Sequence, residues 1–188
     1  MCRPAAIAWR PCFFMLFMPD AAQYGRRSVR LKGFDYSLAG LYFVTICAEG
    51  HKRIFGRVFN GTVVLDPAGL AVRNIWLNLH QRFASAAFLD FVIMPNHFHG
   101  IVAIVDSSTR RGAASSAPTA RSLTLSKIIR AFKSLSAIEV NRVLRRRGAT
   151  VWQRNFWEHI MGNEGEFRTV REYIRLNPRR WDSDPENI

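Results

Sequence analysis

The stretch FLDFVIMPNHFHGIVAIV, residues 88 to 105, decides the fold of this chain, because two apolar β-rich runs are separated only by Pro95 and Asn96. Phe88–Met94 and His97–Val105 therefore read as two strands joined by a tight turn, an antiparallel pair at the centre of a sheet. Successive side chains on a strand point to opposite faces, so His97 and His99 share one face while Phe98 points to the other and fits a core. Two imidazoles on one face can reach one metal ion. The same spacing also occurs in strands whose histidines only pack or face solvent, so the pair needs support from elsewhere in the chain.

Upstream, GLYFVTICAEG (40–50) is rich in aromatic and β-branched residues and bounded by glycines, which predicts a buried strand. In RVFNGTVVL (57–65) the Asn60-Gly61 pair between two apolar arms predicts a hairpin. Asp66-Pro67 then opens a helix, with Leu70, Ile75, Leu77 and Leu79 at roughly helical spacing and Trp76 and Leu79 as core candidates. Downstream, Asp106–Ser122 is small, polar and unpatterned and reads as a flexible loop. After it comes a helix whose apolar face is Leu125, Ile128, Ile129, Phe132 and Leu135, with Lys127, Arg130 and Lys133 on the other side. Past an aromatic stretch around Trp152, Phe156 and Trp157, Asn163 with Glu166 forms a capping-box spacing that starts a last helix. Pro178 biases Asn177 out of the helical region, so that helix is expected to run to about Leu176 with Asn177 at its last turn. The expected architecture is α+β: an antiparallel sheet of about four or five strands with helices packed on it. A single domain over 26–181 is expected, with a disordered or over-extended segment at 1–25, Met18 being a candidate start, and a tail at 182–188.

Charge narrows the partner. The chain of 188 residues carries 27 Lys and Arg against 14 Asp and Glu, a formal net charge of +13, which favours a polyanion and nucleic acid first. A solvated basic surface or a membrane-facing patch is the plainer alternative. Between Arg121 and Arg147 stand eight basic residues and one acid, Glu139, and among them Lys127, Arg130, Lys133, Arg145, Arg146 and Arg147 are the DNA-contact candidates. Arg26, Arg27, Arg30 and Lys32 form a second basic group or a solvated arm. Trp152, Phe156 and Trp157 either stack on unpaired bases or belong to the core. The three cysteines, Cys2, Cys12 and Cys47, lack a zinc-site spacing and suit a reducing cytoplasm. The apolar run Phe13–Met18 is too short to span a bilayer and has no cleavage site, so no membrane association is expected.

Tyr173 lies on the last helix with Asn177 four residues on, and such positions share a face. A phenol and an amide oxygen can thus address one phosphate together, although a half-buried packing tyrosine fits the same pattern.

Four blocks in order, MPNHFHGIV (94–102), the basic helix, WQRNFWEHI (152–160) and REYIRLNP (171–178), resemble the REP-associated tyrosine transposases, relatives of the single-tyrosine HUH insertion-sequence transposases. The resemblance covers roughly residues 26 to 181. It implies a ferredoxin-like HUH endonuclease fold, His97 and His99 as metal ligands, Asn177 as the third, and Tyr173 as the nucleophile. It also implies a divalent cofactor, Mg²⁺ or Mn²⁺, and single-stranded or hairpin DNA, cleaved and rejoined through a 5′-phosphotyrosine, by a monomer or homodimer. Imidazole ligation suits Mn²⁺ at least as well as Mg²⁺, and two imidazoles with a neutral amide leave the ion's charge uncompensated. Tyrosine's ordinary pKa is about 10, so it needs help to attack at neutral pH; Glu158 and His159 are candidate helpers. No Walker-type motif is present, so no nucleotide cofactor is expected. Two other readings stay open: a catalytically inactive, domesticated nucleic-acid-binding protein of the same fold, and an unrelated H-x-H metalloenzyme.

Overall fold

The structure is a computed structural model that describes residues 39–105 and 123–188. The segment 1–25, the basic residues Arg26 to Lys32, Cys2, Cys12 and the segment 106–122 lie outside the described residues. The described residues all fall in one unit, Gly33–Ile188. In chain order its elements are β1 (Gly40–Cys47), β2 (Gly56–Phe59), β3 (Thr62–Leu65), α1 (Pro67–Asn78), β4 (Ala86–Ile93), β5 (His97–Ile104), α2 (Leu125–Val143), β6 (Trp157–Met161) and α3 (Glu164–Leu176), with a 3-10 segment over Asn177–Ser183.

β4 and β5 are antiparallel neighbours, as their Pro95-Asn96 connection requires, and the full sheet runs β4-β5-β1-β6. Leaving out the hairpin β2–β3, which pairs only with itself, the chain reads β1-α1-β4-β5-α2-β6. Two β-α-β crossovers interleaved this way, with every adjacent pair antiparallel, make the ferredoxin-like split βαβ. The central strands β1 and β5 pair over their whole length, setting Thr45 opposite His99 and Cys47 opposite His97.

The two faces of the sheet differ. On one, Tyr42, Val44, Ile46, Phe98 and Val102 pack under α1 and α2. The Phe98 ring lies 4.6 Å from Trp76 and 4.9 Å from Phe132, centroid to centroid. Gly100 shares that face, and a Cβ there would sit 2.7 Å from the Phe98 ring and 2.8 Å from Trp76, so only glycine lets the rings close over the strand. The other face carries Phe43, Thr45, His97 and His99 and lies under α3.

Several local expectations hold for stated physical reasons. Asn60 (φ 50°) and Gly61 (φ 67°) both adopt the left-handed backbone that a two-residue hairpin turn needs. Asp66 precedes α1 in extended backbone with Pro67 in the first turn. The Asn163 side chain accepts from the Glu166 backbone N–H at 2.9 Å, while Glu166 accepts from Gly162 N–H at 3.0 Å, completing a reciprocal cap.

Four expectations change. The buried side of α1 is Ala68, Gly69, Val72 and Trp76, leaving Leu70 and Leu77 exposed, because the two large rings of the core are served by the stripe through Trp76. Trp157–Met161, which read only as an aromatic stretch, is the edge strand β6. Asn177 keeps helical dihedrals (φ −52°, ψ −45°), and Pro178 opens the 3-10 segment, where its missing N–H is harmless. That continuation carries residues 182–184 back to the sheet, so 182–188 is not a loose tail: Asp184 is buried.

Candidate active site

The site is built on the polar face of β5. Burial lowers the His97 imidazole well below the ordinary histidine value, with His99 and His51 adding repulsion. Burial alone takes His99 down to about 3. Both rings are therefore neutral at physiological pH and keep a lone pair for a ligand. A neighbour sets the His97 tautomer, and a hydroxyl partners His99. His97 Nδ1 donates to Asn96 Oδ1 at 2.8 Å, and His99 Nδ1 lies 2.8 Å from Thr45 Oγ1, which leaves Nε2 of each ring aimed away from the sheet. The rings meet edge to face, 4.5 Å between centroids.

α3 brings Tyr173 over His99, with the phenol oxygen 3.3 Å from His99 Nε2. Phe43 braces both rings from β1, 5.3 Å from His99 and 6.0 Å from Tyr173. Burial raises the Tyr173 pKa above that of free tyrosine, Asp184 and Glu186 add to the rise, and the Asn177 amide and Arg180 oppose it. In this state the hydroxyl keeps its proton.

Asn177, one turn beyond Tyr173, is almost wholly buried, and its Nδ2 donates to Asp184 Oδ2 at 2.6 Å. The hydrogen bond fixes which end of the amide faces the carboxylate. Asn177 Oδ1 and His97 Nε2 are both buried without a hydrogen-bond partner. The Asp184 carboxylate lies 3.9 Å from His97 Nε2, and since that ring is neutral the approach is not an ion pair. Burial raises the Asp184 pKa, offset in part by the Glu186 backbone N–H and the Asn177 amide. Ligand atoms of His97, His99 and Asp184 all lie within 4.8 Å of one another. Buried lone pairs left without a donor, as on His97 Nε2 and Asn177 Oδ1, are expensive unless a cation joins them. The donor set, two imidazole nitrogens with amide and carboxylate oxygens, fits a divalent ion such as Mn²⁺ or Mg²⁺.

The structure thus brings together His97, His99, Tyr173 and Asn177, and adds Asp184, which the sequence reading missed. A usable signal existed: Asp184 is seven residues past Asn177, two helical turns on the same face if the helical backbone continued. Pro178 hid it by suggesting a stop.

The accessory candidates fare differently. Glu158 pairs with Val44 in the register and so points to the α1/α2 face, away from the histidine pair, which corrects its candidacy as a helper to Tyr173. His159 pairs with Phe43 and shares the site face, where its ring stacks on Trp157 (6.1 Å, 9°) and approaches Glu166 at 3.5 Å. Trp152 belongs to the core, its indole N–H donating to Ser136 Oγ at 2.9 Å, so it offers no free face to bases. Among the basic candidates, Lys127, Arg130, Arg145 and Arg147 are exposed and Arg146 is half-buried. The Lys133 ammonium is occupied by the backbone carbonyls of Gln153, Arg154 and Asn155. Arg73, Arg175 and Arg179 line a cleft beside the β2–β3 turn, a basic surface scattered in sequence and therefore invisible to a search for charge runs.

The ferredoxin-like fold of this chain is shared with a solved transposase structure. The solved structure of a REP-associated tyrosine transposase bound to a REP hairpin superposes over 80% of this chain and 74% of that one, with a TM-score of 0.53 at 17% identity. A putative transposase from Deinococcus radiodurans R1 is a more distant neighbour, with a TM-score of 0.45 at 13% identity over 78% of this chain and 95% of that one. An uncharacterised protein of Haemophilus influenzae is 34% identical over 174 residues, 88% of this chain and 94% of its own length. The chain belongs to the family of that Haemophilus protein, and its fold is that of the REP-associated tyrosine transposases. No family model matches it.

Proposed function

We propose that this protein is a metal-dependent single-stranded DNA endonuclease and strand transferase of the transposase type, acting at hairpin DNA. The observation that carries the reading is the contact of the Tyr173 hydroxyl with His99 Nε2 at 3.3 Å, beside the unsatisfied His97 Nε2 and Asn177 Oδ1. A nucleophile, two neutral imidazoles and two oxygen donors at one point suit transesterification of a phosphodiester. The REP hairpin held by the transposase neighbour and the net charge of +13 favour a DNA partner.

A divalent ion held by His97, His99, Asn177 and Asp184 would supply Lewis acidity and neutralise charge at the scissile phosphate. Everything else falls to side chains of this chain. Tyr173 Oη attacks phosphorus; a Tyr–O–P bond forms, the P–O3′ bond breaks, and the phenolic proton is lost while the departing oxygen gains one as a free 3′-OH. Because one phosphoester replaces another, a 3′-OH can attack the 5′-phosphotyrosine and rejoin a strand. Phe43 fixes the ring planes of His99 and Tyr173, and Asp184 fixes the amide of Asn177. Burial keeps the phenol protonated until positive charge lies beside it, which restrains attack in the absence of the full assembly. Lys127, Arg130, Arg145, Arg146 and Arg147 would hold the phosphate backbone, giving affinity without sequence choice.

The test is to incubate a labelled single-stranded hairpin oligonucleotide with the protein and Mg²⁺ or Mn²⁺. Cleavage and a covalent adduct are expected for the wild type, and loss of both by more than about 1000-fold for Tyr173→Phe and His97→Ala. Tight binding without any adduct would favour the inactive, nucleic-acid-binding reading.

A further inference from the structure

A second group of ligating side chains sits at the end of β1, outside the machinery described above. Cys47 closes the strand, and the 3-10 turn Glu49–His51 folds back beside it with His51 in left-handed backbone (φ 50°), uncommon for a residue other than glycine. From the far end of the chain Glu186 arrives at the same point. Cys47 Sγ donates to Glu186 Oε2 at 3.0 Å, and His51 Nδ1 lies 3.7 Å from the same oxygen. All three ligand atoms lie within 4.8 Å of one another.

We propose that Cys47, His51 and Glu186 form a second metal site, for a zinc-type ion, that clamps the C-terminal segment to the end of β1. Three observations support it. First, thiolate, imidazole and carboxylate around a tetrahedral zinc ion, bound at about 2.0–2.3 Å, stand roughly 3.3–3.8 Å apart, and Glu186 Oε2 stands 3.0 Å from Cys47 Sγ and 3.7 Å from His51 Nδ1. Second, His51 Nδ1 is buried and has no hydrogen-bond partner, although it points at two potential co-ligands. Third, the other ring nitrogen has a partner that can hold the ligating tautomer: Gln153 Nε2 lies 2.8 Å from His51 Nε2, and exchanging the two ends of that amide lets its oxygen accept from Nε2–H and leaves the Nδ1 lone pair free, the usual arrangement of a ligating histidine.

The softness of the set separates it from the first centre. A thiolate selects zinc over magnesium or manganese, whereas the His97 centre has no sulfur. Binding is balanced by release of one proton, from the Cys47 thiol. Burial and the Glu186 charge raise the thiol pKa, with Lys133 opposing, so a cation is needed to draw that proton off. His51 and Glu186 are each about a quarter exposed (26% and 21% of the side chain), which leaves the fourth position for water and a route in for the ion. The clamp would also steady the first centre, because the Glu186 backbone N–H donates to Asp184 Oδ1 at 2.8 Å and its carbonyl accepts from Asn96 Nδ2.

The test uses the full-length protein, stripped of metal and titrated with Co²⁺ as a spectroscopic stand-in for zinc. The wild type is expected to develop a thiolate-to-cobalt charge-transfer band and intense tetrahedral d–d bands, both bleached by one equivalent of Zn²⁺. The same charge-transfer band is expected in His97→Ala and in a Cys2→Ser/Cys12→Ser variant, and no such band in Cys47→Ser. Glu186→Gln and His51→Ala, milder changes at partly exposed positions, should each weaken Co²⁺ binding by about 10-fold or more. A charge-transfer band that survives Cys47→Ser, or a wild type showing only weak octahedral bands, would overturn the proposal. Loss of the band in His97→Ala with retention in Cys47→Ser would assign the ion to the first centre and equally overturn it.

Discussion

The two faces of β5 do opposite work with alternate residues of one strand. Phe98 and Gly100 lie under α1 and α2 in a close-packed apolar layer, whereas His97 and His99, their sequence neighbours, lie under α3 among Tyr173, Asn177 and Asp184. The first face is satisfied by shape. The second holds buried polar atoms that the protein alone leaves unsatisfied, so its free energy depends on what binds there. A mutation on the first face should therefore act on stability, and one on the second on function and ion dependence.

The largest expected effect on the closed face is that of Phe98→Ala, which empties a site bounded by Trp76 and Phe132 and should cost about 3–5 kcal/mol in urea unfolding. A loss below about 1 kcal/mol would mean that the layer is not close-packed. On the polar face the corresponding lever is pH. The unfolded chain protonates His97 and His99 near 6.5, while the folded chain resists until far lower, about 3 for His99. The unfolded state thus binds more protons in this window, and stability should be full above pH 6.5 and fall as pH drops toward 3. The slope is roughly 1.4 kcal/mol per pH unit for each histidine. Unfolding of metal-free protein at pH 7 and pH 5, with the double variant His97→Gln/His99→Gln as reference, measures it; equal pH dependence in both would contradict the buried neutral pair.

How much of this was legible beforehand follows from the range of the interactions. The alternation in HFHG, the Asn60-Gly61 turn and the Asn163 cap are local rules and could be read directly from the sequence. The spacing of Tyr173 and Asn177 was legible for the same reason. β6 was not, because a short edge strand holding Trp157, Glu158 and His159 has no clean alternation and draws its identity from pairing with β1. Ferredoxin-like topology came from resemblance, since strand order is a long-range property that no local pattern encodes. Asp184 was hidden by a correct rule applied too strictly: proline ends an α-helix, yet here the backbone continues as a 3-10 segment.

Asp184 also alters the electrostatics. Two imidazoles and an amide would leave a dication uncompensated, whereas a carboxylate beside them supplies one negative charge and a hard oxygen. Asp184→Asn should weaken Mn²⁺ or Mg²⁺ binding by about 10- to 100-fold, read by calorimetry, with Mg²⁺ the more affected. Unchanged affinity would remove Asp184 from the ligand set. Gly100→Ala, where the added Cβ meets two rings, should cost about 1–3 kcal/mol in stability without altering metal affinity.

The most direct measurement is mass spectrometry of the peptide that becomes linked to DNA after reaction with a hairpin oligonucleotide and Mn²⁺. A nucleotide esterified to Tyr173, absent when the ion is withheld, is the expected result. An adduct on another residue, or efficient cleavage by Tyr173→Phe, would contradict the account.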